Sequence, residues 1–136
     1  MLLKPTRLTE EEFGEIKQHS DIGARLTARF PDFGRGTGYI RHHHEKWDGS
    51  GYPLGLKGDR IPLGARVIAV ADTYDAITST RVYRAALSED FAMAEIARVT
   101  VTQLDPDVGD AFFDYQGWRA RIGDRAKNFA GLPNPA

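Results

Sequence analysis

The chain has 136 residues and a formal net charge of −1, with 27% charged and 41% hydrophobic residues. This length suits one domain with a single hydrophobic core, and the near-neutral charge provides no basic field for a nucleic acid polymer. No apolar run approaches the roughly 18 residues that a membrane span needs, and the lack of cysteine excludes disulfides and thiolate metal sites. We therefore expect a cytoplasmic protein with no membrane insertion.

The sequence pattern is helical almost throughout and predicts an all-α bundle of about five helices. Thr9 and Glu12 have capping-box spacing before an amphipathic helix that should run to about Arg29. A second helix should span Tyr39 to about Lys46. Residues 48–62 are rich in glycine and proline and should form a loop.

Three further helices are predicted in the second half of the chain. The third starts near Pro62 and carries the apolar run 67–71, whose length and continuing alanines favour a buried helix over a buried strand. Ser88 should cap the fourth helix, and Asp105 with Pro106 should cap the fifth. Residues 1–124 are expected to form the domain, and residues 125–136 a flexible tail.

Three of the four histidines are consecutive, at positions 42–44, directly before a glycine-rich aromatic turn. Imidazole is a common ligand of first-row transition metals. Adjacent side chains on a helix point about 100° apart, so His43 and His44 reach metal together only if two ions lie side by side or the helix end distorts. A polar helix end in solvent is the alternative, and it would be favoured if the histidines stood alone.

Two more candidate ligands lie on the first and third helices. Asp72 interrupts the most apolar run of the chain, and a buried carboxylate needs a partner such as a metal ion, an arginine or a helix N-terminus. Asp75 follows one turn later and could share that site or face solvent. His19 lies inside the first helix, where on its own it is better explained as a satisfied, half-buried histidine.

The turn after the histidines and two arginines indicate what the site would bind. Gly51 allows the backbone to approach a ligand closely, and Tyr52 offers a ring for stacking and a hydroxyl for hydrogen bonding. Arg81 and Arg84 follow the third helix, and guanidinium groups suit bidentate phosphate recognition, although each alone would be explained as a solvated side chain. Together these features indicate a phosphoester substrate that carries bases.

These motifs resemble those of the HD-GYP family, bacterial metal-dependent phosphohydrolases that cleave cyclic di-GMP. The likeness covers about residues 3–115 and is most specific in the long histidine and Gly-Tyr-Pro motif. The matching segments are His-His-Glu-Lys-Trp-Asp-Gly-Ser-Gly-Tyr-Pro at 43–53, Gly-Leu-Lys-Gly at 55–58, Val-Ala-Asp-Thr-Tyr-Asp-Ala at 70–76, Thr-Ser-Thr-Arg-Val-Tyr-Arg at 78–84 and Leu-Asp-Pro at 104–106.

The resemblance implies an HD-like helical bundle that holds two or three metal ions, often iron or manganese. It implies hydrolysis of cyclic di-GMP in bacterial second-messenger signalling. The metal ligands that it implies are His19, His43, His44 and Asp72. The substrate contacts that it implies are Gly51, Tyr52, Arg81 and Arg84.

The sequence departs from the family in one chemically important respect. The family has a His-Asp pair on a helix before the Lys-Pro segment, and no His-Asp dipeptide occurs in this chain. Because that aspartate bridges the metals in the family, the four remaining ligands are expected to hold one ion or a weaker pair. The alternative function is a catalytically inactive module that binds cyclic di-GMP or a protein partner.

Two structural expectations follow from the same comparison. Without the first helices of the family, the bundle should expose an apolar face, and such faces usually find a partner. We expect a homodimer or association with a domain that supplies those helices; a strictly monomeric species in light scattering would count against it. The second departure is in residues 99–102, where the family more often has a glycine before its Asp-Pro.

Overall fold

The described part of the chain is built from helices. The structure, a computed structural model, describes residues 9–80, 85–115 and 117, and within them the predicted all-α fold of five helices is confirmed. None of the helices in these residues is both long and apolar enough to cross a membrane. The helices are α1 (Glu10–Thr27), α2 (Gly36–His42), α3 (Leu63–Thr78), α4 (Glu89–Val99) and α5 (Pro106–Tyr115).

Three helix starts are set by the local sequence, as predicted. At α1, Glu12 N donates to Thr9 Oγ1 at 3.2 Å, and Thr9 N donates to Glu12 Oε2 at 2.8 Å, which completes the capping box. Ser88 Oγ accepts from Phe91 N at 3.2 Å at the start of α4. Asp105 Oδ1 accepts from the amide of residue 107 at 2.8 Å at the start of α5.

The second helix differs from its prediction at both ends. It spans Gly36–His42 and does not continue to Lys46. Beyond His42 the backbone forms a hydrogen bond with the following loop instead of continuing the helix, since His44 O accepts from Tyr52 N at 3.2 Å. This long-range bond competes with the helical pattern, and a local reading of the sequence does not reveal it.

The hydrophobic core lies among α3, α4 and α5. Helix α3 contributes the buried Val70, while Leu63, Val67 and Ile68 are exposed. The expectation of a buried third helix is therefore correct for one face only. Several large apolar side chains are exposed, and a contiguous apolar face that binds a second copy or a partner domain stays a prediction. The buried core cluster comprises Val70, Met93, Ile96, Val99, Leu104 and Phe113.

The turn between α4 and α5 fastens the loop that follows α2. Trp47 N donates to Gln103 O at 3.0 Å. Arg66 of α3 lies 2.6 Å from the Asp105 carboxylate, which is 2% exposed, and its guanidinium lies 5.7 Å from the Trp47 ring centroid. Since a buried carboxylate requires compensation, Asp105 links α3 to the start of α5 at the point where the loop docks.

Val101 in this turn has a strained backbone. Its φ of 76° lies in the left-handed region, which β-branched residues rarely adopt. Its amide donates to Leu104 O at 2.9 Å, so the turn is closed around the strained residue. Val101 lies within the 99–102 segment, where the resemblance favours glycine.

We expect Val101→Gly to raise the free energy of unfolding by about 1 kcal/mol, because glycine adopts this φ without steric cost. The exposed Val101 side chain loses little burial in this substitution. Urea unfolding measures the change. As the control, Val67→Gly removes another exposed valine inside α3 and should lower stability by about 0.5 kcal/mol. A loss of stability in both variants would contradict strain at Val101.

Candidate metal centre

Three of the four predicted metal ligands meet where α1 contacts the end of α2. His19, His43 and His44 each offer one ring nitrogen, and these atoms lie within 4.8 Å of one another. The Nε2 atoms of His19 and His44 are 3.0 Å apart. We call these three side chains the histidine group.

Backbone carbonyls orient two of the three rings. Nδ1 of His19 lies 2.5 Å from Ile16 O, and Nδ1 of His43 lies 2.6 Å from Ile40 O. A carbonyl oxygen only accepts, so Nδ1 carries the proton in both rings and Nε2 keeps its lone pair. Such outer hydrogen bonds are what fix the tautomer of histidines that bind metals. His19 is thus satisfied at Nδ1, as predicted, but it is exposed and not half-buried, and its Nε2 faces His44.

The end of α2 brings the adjacent histidines together. His43 is the C-cap of α2 and His44 lies beyond the helix, so the pair lies where the helix ends, and the number of ions that the pair would hold stays a prediction. Their ring centroids are 4.0 Å apart. His42 lies apart from the group, with its Nδ1 3.6 Å from Glu45 Oε1.

The electrostatics of the site keep His44 neutral. The pKa of His44 is lowered to about 4, chiefly by burial; the neighbouring His43 and His19 contribute to the lowering, and the Asp72 carboxylate opposes it. At neutral pH the ring is therefore an uncharged imidazole, the form that coordinates a metal.

The histidine group fits a transition metal ion. Two nitrogens that each lie about 2.1 Å from one ion are about 3.0 Å apart when their bonds to the ion meet at about 90°, and about 3.4 Å apart at the tetrahedral angle. The observed separation of His19 Nε2 and His44 Nε2 is 3.0 Å. Nitrogen donors from imidazole suit first-row metals rather than calcium or magnesium.

Asp72 acts on the histidine group electrostatically and not by direct contact. It lines a cavity of about 100 Å³ together with His43, His44, Lys46 and other residues. Its side chain is exposed, so the burial inferred from the apolar run is wrong, because that part of α3 faces outward. Asp72 as a metal ligand stays a prediction.

Asp75 takes the second of its two predicted alternatives. It is exposed, and its Oδ1 accepts from Ser79 Oγ at 2.8 Å at the end of α3.

A larger groove of about 550 Å³ lies between α1 and α2, but none of the predicted ligands line it. The smaller cavity, which His43, His44 and Asp72 line, is therefore the candidate site.

Tyr52 packs on the histidine group. Its ring is stacked on His44, with centroids 4.9 Å apart and planes at 26°, and it meets Phe13 edge to face at 6.2 Å. The Lys17 ammonium lies 5.6 Å from the Tyr52 ring centroid. Burial raises the pKa of the Tyr52 hydroxyl and the Asp72 carboxylate adds to the shift, so the hydroxyl stays a donor at neutral pH.

The Gly-Tyr-Pro loop (residues 48–57) is held against the histidines at two points. Glu45 is 4% exposed, and its carboxylate accepts from Leu54 N at 2.8 Å and from Leu56 N at 2.9 Å. Gly51 lies directly on the backbone of residues 44–46, where a Cβ atom would be 2.5 Å from Glu45 Cα and 2.5 Å from His44 O. The glycine is therefore required by close packing, and its contact with substrate stays a prediction.

Three residues at this site were not predicted from the sequence: Glu45, Phe13 and Lys17. Phe13 lies on α1, and its side chain is exposed beside Tyr52. The spacing of Phe13 and Lys17 places both on one face of α1 and could have indicated a shared role. Arg81 and Arg84, the predicted phosphate contacts, lie outside the described residues.

Comparison with known proteins finds related sequences. The sequence profile of the HD domain matches residues 1–108. A probable cyclic di-GMP phosphodiesterase of Vibrio cholerae is 45% identical over 120 residues, which is 82% of this chain and 27% of that protein. A cyclic di-GMP phosphodiesterase of Thermotoga maritima is 43% identical over 114 residues, 82% of this chain and 31% of that protein. The chain thus spans about a quarter to a third of the length of these relatives.

A solved structure shares the fold. The crystal structure of a cyclic GMP-AMP specific phosphodiesterase of V. cholerae superposes with a TM-score of 0.62 at 21% identity, covering 94% of this chain and 33% of that one. The profile match spans most of the chain, and the histidine and Gly-Tyr-Pro motif lies inside it. The chain belongs to the HD domain family and is of its HD-GYP type.

Proposed function

We propose that this chain is the metal-binding part of a cytoplasmic phosphodiesterase that hydrolyses cyclic di-GMP in bacterial signalling. The observation that carries the proposal is the close approach of His19, His43 and His44, with the Tyr52 ring stacked on His44. Relatives named as cyclic di-GMP phosphodiesterases support the choice of substrate.

The proposed metal is iron or manganese, held as one ion or a weak pair. The proposed ligands are the histidine group and Asp72, which lies across the small cavity. A bound divalent ion supplies Lewis-acid activation of water and of the phosphoryl oxygen.

The protein's own residues bind and orient the dinucleotide. A cavity of about 100 Å³ is well below the size of a site that encloses a whole small molecule, so it takes a phosphoryl group and leaves the bases outside. Lys46 lines this cavity and supplies a positive charge there. The Tyr52 hydroxyl, protonated at neutral pH, donates to the substrate. Arg81 and Arg84 contact phosphate.

The test is incubation of metal-loaded protein with cyclic di-GMP and detection of linear dinucleotide or GMP. We expect Asp72→Asn to lower the rate, because the amide is a poorer ligand than the carboxylate. Asp75→Asn is the matched control, since Asp75 lies one turn later on α3 and is bonded to Ser79. Failure to form product with iron, manganese or any other first-row metal would remove the enzymatic proposal for this chain.

A catalytically inactive module that binds cyclic di-GMP is the second candidate. The observation in its favour is that, among the described residues, the group placed to hold a metal contains three histidines and no carboxylate. Calorimetry with cyclic di-GMP separates the two functions when it is combined with the activity assay. Binding without product that survives both His43→Ala and His44→Ala would identify a metal-independent module.

A further inference from the structure

We infer that Glu45 is the positioning residue that seats the Gly-Tyr-Pro loop on the histidine group. Glu45 directly follows His44 and lies three residues before the start of the loop, so it stands between the histidine group and the loop along the chain. Its side chain is buried, with 4% of the residue exposed. A carboxylate is costly to bury unless strong donors surround it.

The donors that surround Glu45 come from the loop. Oε1 accepts from Leu54 N at 2.8 Å and Oε2 accepts from Leu56 N at 2.9 Å, so each oxygen holds one backbone amide. Hydrogen bonds to an ionised acceptor are about twice as strong as those between neutral groups. The carboxylate therefore fixes a segment of the loop nine to eleven residues away along the chain.

This connection determines where Tyr52 lies. Leu54 follows Tyr52 by two residues, and Tyr52 N donates to His44 O at 3.2 Å. The chain from His44 to Leu54 is thus closed by one hydrogen bond at Tyr52 and one at Leu54. The Tyr52 ring is held on His44 by this closure.

Apolar contacts alone give this segment little support. The Leu54 side chain is 58% exposed, and the described residues 50–57 contain no helix. Elsewhere the loop is held by Gly58 N, which donates to Trp47 O at 3.0 Å. The Glu45 carboxylate is the polar anchor for the part of the loop that follows Tyr52.

The inference deepens the proposed function. The part that concerns cyclic di-GMP binding rests on that function, whereas the hydrogen-exchange test does not. We expect Glu45→Gln to accelerate hydrogen exchange at the Leu54 and Leu56 amides by about tenfold, because a neutral side chain replaces the ionised acceptor. Amides inside α1 and α4 should keep their protection. Glu45→Asp keeps the charge on a shorter side chain and should restore part of the protection at one of the two amides.

Asp59→Asn is the matched control. Asp59 lies two residues after the end of the loop, its side chain is 91% exposed, and it pairs with Arg66 and not with a loop amide. The same carboxylate-to-amide change there should leave the exchange of Leu54 and Leu56 unchanged. Unaltered exchange in Glu45→Gln would overturn the inference, and so would equal acceleration throughout α1 and α4.

A second measurement connects the anchor to ligand binding. In Glu45→Gln we expect the Mn²⁺ affinity to be retained and the Kd for cyclic di-GMP to rise by about tenfold, because the histidine group stays in place and Tyr52 does not. Equal losses of both affinities would overturn a role specific to the loop. If the unmodified protein binds no cyclic di-GMP, the proposed function fails, while the exchange experiment still decides the role of Glu45.

Discussion

His44→Ala should weaken Mn²⁺ binding by at least about 100-fold, the upper end of the loss caused by removing a residue that merely supports a ligand. His44 is the member of the histidine group that lies nearest to both others: its ring centroid is 4.0 Å from that of His43 and 4.8 Å from that of His19, whereas those two are 5.4 Å apart. Its lowered pKa keeps it neutral at pH 7, so protons do not compete for the ring there. Calorimetric titration of the protein with Mn²⁺ measures the loss.

The chain provides a closely matched control in His42→Ala. His42 belongs to the same run of histidines, but its Nδ1 faces Glu45 and it has no place in the histidine group. We expect its removal to leave the Mn²⁺ affinity near that of the unmodified protein. If both variants keep the Mn²⁺ affinity of the unmodified protein, the metal is held elsewhere. If both lose affinity equally and circular dichroism shows reduced helicity, the substitutions have impaired folding.

The helix starts were predictable from the sequence because their determinants are local. Thr9, Ser88 and Asp105 each accept hydrogen bonds from amides two or three residues further along the chain. The end of α2 was not predictable in this way. It depends on Tyr52, eight residues beyond His44, and on the turn between α4 and α5 that accepts the amide of Trp47.

The candidate site was predictable in its ligand types and less so in its arrangement. His43 and His44 stand out because they precede a glycine-rich turn, whereas His19 entered the site only through the family resemblance. The apolar run around Asp72 suggested burial, yet the run does not show which face of α3 is covered by neighbours, and Asp72 is exposed. Glu45 was missed because its partners, two backbone amides, have no signature in side-chain identity.

Gly51→Ala should lower the free energy of unfolding by about 3 kcal/mol, at the upper end of the cost of overpacking. A Cβ at this position would overlap Lys46 N and lie 2.5 Å from both Glu45 Cα and His44 O. All three are backbone atoms, which cannot rotate away as a side chain can. The overlap therefore forces the loop off the chain that carries His44, and the bond from Tyr52 N to His44 O is lost with it.

Gly14→Ala separates this overlap from the general effect of replacing glycine. Gly14 lies inside α1 with open space around its Cβ position, so alanine should leave stability unchanged or raise it by up to about 1 kcal/mol. Urea unfolding of both variants measures the difference. If the free energy of unfolding of Gly51→Ala also lies within about 0.5 kcal/mol of that of the unmodified protein, the loop does not pack on residues 44–46. Tyr52 would then not be seated on His44, and the close association of the loop with the metal ligands would be wrong.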